Sequence, residues 1–177
     1  MNIAIIPARG GSKRIPLKNI KDFNGKPIIA YSIEKAIESG LFDKVVVSTD
    51  NEKIAKVAED FGAEIPFLRP PEISDDFTNI NKVISHTLNN IDTDNYNFAC
   101  CIFATSPLLM IKDLKESYEL ILQNDYKFVF SATEFPHPIQ RGFKKNSSDK
   151  GLEMLFPEHY NTRSQDFPEW MHDAGQF

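Results

Sequence analysis

Apolar residues in this chain fall into short unbroken runs separated by stripes at helical spacing. Residues 3–6 form a mostly β-branched run of the length expected for a buried strand. Pro27 stands at the first turn of a predicted helix whose stripe is Ile29, Ile33, Ala36 and Ile37, with Gly40 ending it. Residues 44–48 (K-V-V-V-S) read as a second buried strand. Asp50 is placed to cap a second helix, with Ile54, Val57, Ala58 and Phe61 on its stripe and Gly62 past its end. A short strand is expected over residues 64–67, and the proline-rich L-R-P-P at 68–71 then leaves the sheet.

The alternation continues with a helix over residues 79–91, its inward positions being Ile80, Val83, Ile84, Thr87, Leu88 and Ile91. Residues 98–103 are the most apolar run and are expected to form a central strand. Asp113 is placed to cap the next helix, with Leu114, Ser117, Tyr118, Ile121 and Leu122 on its stripe, and a further strand is expected over 128–132. From Thr133 the helical period is lost. Residues 146–151 are turn-rich, 152–156 suit a strand, and 164–171 suit a short helix. Strand and helix alternating in this way predict an α/β fold, layered, with a mostly parallel central sheet and right-handed connections.

The first strand empties into Gly10-Gly11, surrounded by Arg9, Lys13, Arg14 and Lys18. Glycines allow close backbone approach and the cations supply countercharge, so this loop suits a polyphosphate. Neither G-x-x-x-x-G-K-[ST] nor G-x-G-x-x-G can be laid on it. The bland alternative is a solvated basic turn. Charge distribution favours the site: residues 1–27 carry six Lys/Arg and one Asp in a chain whose net charge is −5. A single basic loop on an acidic protein fits a small anion, whereas nucleic acid needs a broad basic face.

At 177 residues the chain has room for one domain, or one domain and an appendage. It has no apolar run of membrane-spanning length, and its charged loop interrupts the N-terminal run too early for a signal peptide. Its two cysteines, Cys100 and Cys101, are neighbours with no metal-ligand spacing around them, so they read as small buried strand residues in a reducing cytoplasm.

The stretch A-R-G-G-S-K-R-I-P-L-K-N, residues 8–19, resembles the N-terminal signature of the cytidylyltransferases that activate nine-carbon sialic-type acids, the CMP-N-acetylneuraminate synthetase family. The resemblance implies a three-layer Rossmann-like nucleotidyltransferase that joins CTP to a sugar acid and releases pyrophosphate. With the change of pattern at Thr133, residues 1–132 are expected to form the nucleotide-binding core and 133–177 a sugar-side excursion of the same domain. Ala8, Arg9, Gly10, Gly11, Ser12 and Lys13 would wrap the phosphates, with Arg9 and Lys13 stabilising charge, and Asn19 would help fix the nucleoside. Arg69 in L-R-P-P-E matches the family's cytosine-reaching arginine; on chemistry alone a surface cation is as good a reading. Thr78 after S-D-D-F matches a nucleoside-contacting hydroxyl. Thr105-Ser106-Pro107 would lie beside the nucleotide or form a hydroxyl-bonded turn. Here F-A-T-S-P-L replaces the commoner Q-P-T-S-P-L, which removes a Gln side chain.

Two late stretches bear on the acceptor. P-H-P-I-Q-R supplies Gln140 and Arg141, and T-R-S-Q-D-F-P supplies Arg163 and Gln165. A guanidinium fork matches a sugar carboxylate, though each Arg alone suits a surface ion pair equally well. His172 and Asp173, in H-D-A-G-Q-F, would contact the sugar or order the chain end. P-I-Q-R, R-S-Q-D and H-D-A-G-Q-F look most like the family branch that activates pseudaminic acid, a bacterial sialic-like sugar of flagella and cell surfaces. N-acetylneuraminic and legionaminic acids are the alternatives within the reaction.

In-line attack by the sugar's anomeric hydroxyl on the α-phosphorus is implied, with a divalent cation, Mg²⁺, bridging phosphate oxygens. The family's metal-holding aspartates and its dimerisation segment would lie beyond Phe177, so no metal ligand is assigned and a homodimer is expected of the full-length family form. A nicotinamide-dependent dehydrogenase would need the missing glycine fingerprint. A non-catalytic, CTP-binding relative is the remaining rival from another class.

Overall fold

The computed structural model describes residues 1–91, 96–146 and 151–177, and these divide into two compact units. The first comprises Met1–Phe130 with Gly175–Phe177, the second Ser131–Ala174. In order, the first unit contains β1 (Asn2–Pro7), a small hairpin of β2 (Asp22–Phe23) and β3 (Lys26–Pro27), α1 (Ile28–Ser39), β4 (Lys44–Ser48), α2 (Glu52–Asp60), α3 (Ile80–Asn89), β5 (Phe98–Cys101) and α4 (Ile111–Gln123). Three parallel strands form its sheet in the order β4-β1-β5, with Ile5 in register with Val46 on one side and Cys101 on the other.

The strand period of two explains why β1 reads as a continuous apolar run. Ala4, Ile6 and Ala8 pack with Ile29 and Ile33 of α1, Ile54 of α2 and Leu114 of α4 on one face. Ile3 and Ile5, with Val46, take Ile84 and Leu88 of α3 on the other. Both faces are therefore covered, as a parallel sheet requires. Gly40 closes α1 in the left-handed region at φ 67°, donating to Ile37 O. None of the helices among the described residues is long and apolar enough to cross a membrane.

Several expectations need correcting. The central strand is β1, and β5 lies at the end of the three-strand order, spanning 98–101 rather than 98–103. Residues 64–67 form no strand: Pro66 lacks the N–H a ladder needs, and what remains is two isolated bridges, Val46 with Glu64 and Thr49 with Leu68. Asn51, not Asp50, caps α2, accepting from the N–H groups of Lys53 and Ile54. Met110 is the residue before α4, and Asp113 sits inside its first turn with no side-chain cap bond there. Ile37 and Leu122 are exposed, each on the margin of its stripe. Phe128 and Phe130 are exposed and outside any strand.

The second unit is built from two short antiparallel ladders. β6 (Ala132–Glu134) pairs with β9 (Met171–Asp173), and β7 (Phe143–Lys145) pairs with β8 (Leu152–Met154). The helix expected over 164–171 reduces to a single 3-10 turn, Ser164–Asp166, because Pro168 breaks the run and β9 follows. Of the turn-rich loop expected at 146–151, residues 147–150 lie outside the described residues.

Candidate functional site

At the carboxyl end of β1 the first unit opens a pocket of about 300 Å³. Its walls come from four places. Pro7 ends β1 and Arg9 follows it, Lys18 and Asn19 close the basic loop, Arg69 lies in the L-R-P-P stretch with the lining residues between Ile73 and Val83 after it, and Phe103 to Thr105 continue β5. This is where ligands sit in open parallel sheets, beyond the carboxyl ends of the strands.

Each wall has a local reason for its position. Ala8 is fully buried and its N–H donates to Ser48 O, which keeps the chain on the sheet for one residue past β1. The Gly10 N–H then donates to Asp50 Oδ1 at 2.7 Å. A Cβ on Gly10 would come within 2.8 Å of Asn51 Cβ, so the loop approaches the start of α2 more closely than any other residue type allows. At Gly11 a side chain would meet nothing within 4 Å. Leu17 adopts φ 50°, in the left-handed region, and so turns the chain into the short helical turn that carries Lys18 and Asn19. Asn19, 2% exposed, donates from Nδ2 to Arg9 O at 2.9 Å and clamps the far side of the loop.

Arg69 is 5% exposed, and its Nε finds no partner among the described residues. Its own N–H donates to Thr49 O, which anchors its backbone at the end of β4. Burial pushes the guanidinium below its ordinary pKa, Asp50 acts in the opposite sense, and Arg9 adds to the fall. A buried cation with an unused donor, close to a second cation, makes this wall strongly attractive to an anion or to a polar ring. Arg69 is therefore not the surface cation that chemistry alone allowed.

Two adjacent aspartates divide their tasks. Asp75 Oδ1 accepts from the N–H groups of Phe77 and Thr78 and from the Thr78 hydroxyl at 2.7 Å, and these bonds hold its carboxyl below the usual carboxylate range. Asp76 instead reaches across to the loop, with Oδ1 2.6 Å from Arg9 Nη1 and Oδ2 2.5 Å from Lys13 Nζ. Ile73, Ile80 and Val83 supply the apolar part of the lining.

The pocket thus gathers Arg9, Asn19, Arg69, Thr78 and Thr105 of the expected nucleotide set. Lys13 joins them through Asp76, while Ala8, Gly10, Gly11 and Ser12 form the loop behind. Ser12 Oγ is buried with no partner among the described residues. Ser106 is 5% exposed and its hydroxyl lies 3.4 Å from the carbonyls of Gly175 and Gln176, so it ties down the chain end and does not line the pocket. Sequence reasoning does not single out Asp75 and Asp76, which line the pocket, or Asp50, which holds its loop; Asp50 and Asn51 are equally good caps by residue type, and it is Asn51 that takes that role.

The second unit has its own pocket, lined by residues 135–139 with Arg141, Gly142 and Ser164. Arg141 donates to the carbonyls of Tyr160 and Thr162 and lies over the Phe167 ring. Arg163 makes a two-pronged pair with Asp166 at 2.8 and 3.0 Å. Gln140 is buried with Oε1 unpartnered among the described residues, Gln165 is exposed, and His172 bonds Asp173 O and packs edge-on against Phe135. Cys100 and Cys101 take no part in either pocket; burial pushes their thiols up to about 12 and about 11.

Residues 3–168 match the family model described as Cytidylyltransferase. The chain is 49% identical over 178 residues to the pseudaminic acid cytidylyltransferase of Campylobacter jejuni, an overlap of 99% of this chain and 76% of that protein. It is 41% identical over 149 residues to N-acylneuraminate cytidylyltransferase A of Danio rerio, an overlap of 84% of this chain and 33% of that protein. A solved CMP:2-keto-3-deoxy-manno-octonic acid synthetase complexed with CTP aligns with a TM-score of 0.60 at 19% identity, over 74% of this chain and 50% of that one, a likeness of fold. On the strength of the family match and these identities, the chain belongs to the cytidylyltransferase family.

Proposed function

We propose that this chain transfers the cytidylyl group of CTP to the anomeric hydroxyl of pseudaminic acid, giving the CMP-sugar and pyrophosphate. The observation that carries the reading is the convergence of Arg9, Lys18 and buried Arg69 on one pocket at the end of β1. The 49% identity to the Campylobacter jejuni protein over nearly the whole chain supports pseudaminic acid as the acceptor.

In this reading the triphosphate lies against Arg9 and Lys13, with the unpartnered Ser12 hydroxyl as a further donor. Arg69 and Asn19 face the nucleoside, and the unused Nε–H of Arg69 donates to a ring acceptor. The sugar hydroxyl forms a bond to the α-phosphorus, the bond to the β-phosphate oxygen breaks, and the hydroxyl proton is released. The cations already stand where negative charge grows on the leaving pyrophosphate, which is the protein's main contribution to such a step. For the acceptor, exposed Gln165 is better placed to bind than Arg141 and Arg163, whose guanidiniums are engaged, and His172 and Asp173 remain candidates as exposed polar residues of β9.

Mg²⁺ enters as a companion of the triphosphate. Among the described residues no group of three or more His, Cys, Asp or Glu converges to hold a metal, and the ion would supply neutralisation of phosphate charge when bound with the triphosphate. A cytoplasmic location suits an enzyme that uses CTP, and a homodimer is proposed for the full-length family form.

Pyrophosphate release with CTP and Mg²⁺, offering pseudaminic and N-acetylneuraminic acids separately, tests the assignment. Turnover with pseudaminic acid is expected. Turnover with N-acetylneuraminic acid alone would move the acceptor, and CTP binding without turnover on either acid would favour a non-catalytic CTP-binding protein.

A further inference from the structure

Among the described residues of the pocket, Asp76 alone carries a charge that opposes the proposed ligand while touching two of the cations meant for it. Its two oxygens bridge Arg9 and Lys13 at 2.6 and 2.5 Å, one oxygen to each. Two oxygens on one atom, each meeting a different cation, reproduce the way a phosphate group would engage the same pair. The carboxyl is held below the usual range by Lys13 first and Arg9 second, so it carries full charge at neutral pH. Its neighbour Asp75 is committed to the turn through Phe77 and Thr78, which leaves Asp76 directed at the loop.

Resting on the phosphate-site reading above, we propose that Asp76 is an internal counter-anion that keeps Arg9 and Lys13 aimed at the phosphate seat and is displaced when the triphosphate arrives. In the empty pocket it offsets the repulsion between Arg9 and Arg69, which act on each other electrostatically. It also restrains a lysine side chain that is 83% exposed and otherwise free to sweep through solvent. A triphosphate brings more charge and more oxygens than one carboxylate, so the exchange runs toward the ligand. Both pairs reach solvent, Lys13 far more than Arg9, and solvent-reaching ion pairs are individually weak, which makes the anion removable. Asp76 is thus a positioning residue that sets triphosphate affinity through competition.

The test is titration of wild type, Asp76→Asn, Asp76→Glu and Asp76→Ser with tripolyphosphate in metal-free buffer, and with cytidine and CTP in parallel. Removing the negative charge raises the local positive potential and removes the competitor, so Asp76→Asn and Asp76→Ser are expected to bind tripolyphosphate roughly threefold to tenfold more tightly. Asp76→Glu is expected to stay near wild type, and cytidine affinity is expected to be unchanged in all four proteins. General damage to the pocket would instead weaken cytidine and tripolyphosphate together. If wild type binds CTP and tripolyphosphate but the two neutral variants bind tripolyphosphate no more tightly, the proposal is overturned while the phosphate site stands. If wild type binds neither, the phosphate-site reading falls and the proposal with it.

Discussion

Asp50 Oδ1 accepts the backbone N–H of Gly10 at 2.7 Å, tying the end of β4 to the loop that leaves β1. The same carboxylate acts on the buried Arg69 guanidinium, opposing the effect of its burial. One side chain thus ties down the loop and offsets part of the cost of burying the arginine's charge. Asp50→Ala is expected to cost about 1–3 kcal/mol, because it strips a charged partner from a backbone donor and an anion from a buried cation. Asp50→Asn, which keeps an acceptor, is expected to lose less. Urea unfolding of the two variants checks both, and wild-type midpoints in both would show that the tie contributes nothing.

The close approach of Gly10 to Asn51 gives a paired test. Gly10→Ala forces a Cβ against Asn51 Cβ and is expected to destabilise the fold by about 1–3 kcal/mol, as overpacking does. Asn51→Gly removes the obstructing atoms and, as a helix cap, costs only a few tenths of a kcal/mol. The double variant is therefore expected to recover most of the loss. Simple additivity of the two single effects would place the strain elsewhere.

Arg69 is expected to trade stability against binding. Arg69→Met removes a desolvated charge with an unpartnered Nε, so the variant without nucleotide is expected to unfold at an equal or higher urea concentration. Its CTP affinity is expected to fall about tenfold or more, the loss of a hydrogen bond from a charged donor. Calorimetry beside the unfolding curve separates the two effects.

The cysteines give a pH dependence of definite sign. In the native protein the thiols titrate at about 12 and about 11, whereas unfolded thiols ionise near pH ~8.5. Between those values the unfolded chain binds fewer protons than the native one, so these groups make stability fall as pH rises. Below the unfolded value both states are protonated and the contribution is constant. Urea midpoints from pH 7 to 10.5 are expected to fall more steeply for wild type than for Cys100→Ala/Cys101→Ala.

What could be read from the residues alone was whatever depends on local pattern. β4 at Lys44–Ser48, the left-handed glycine after α1 and the two-faced apolar run of β1 follow from burial and sterics within a few residues. The cationic character of residues 9–18 was equally legible, and so was the grouping of Arg9, Asn19, Arg69, Thr78 and Thr105 once the loop's resemblance was recognised. Long-range choices were not legible. Asp50 and Asn51 are both good caps, and only the position of Gly10, forty residues earlier, decides that Asp50 turns to the loop. Arg141 and Arg163 advertise anion binding by type, yet the carbonyls of Tyr160 and Thr162 and the carboxylate of Asp166 take them first. Apolar content points to the 98–103 run as the centre of the sheet, but it is β1 that pairs on both sides, with β4 and with β5, a long-range choice that apolar content does not encode.

The most direct test of the account is a CTP titration of wild type beside Arg9→Ala, followed by calorimetry and repeated with ATP. Wild type is expected to bind CTP in preference to ATP, and Arg9→Ala to bind CTP at least about tenfold more weakly while unfolding normally. Equal CTP affinity in the two proteins would contradict the phosphate-site reading, because the cation at the end of β1 would then have no phosphate to hold.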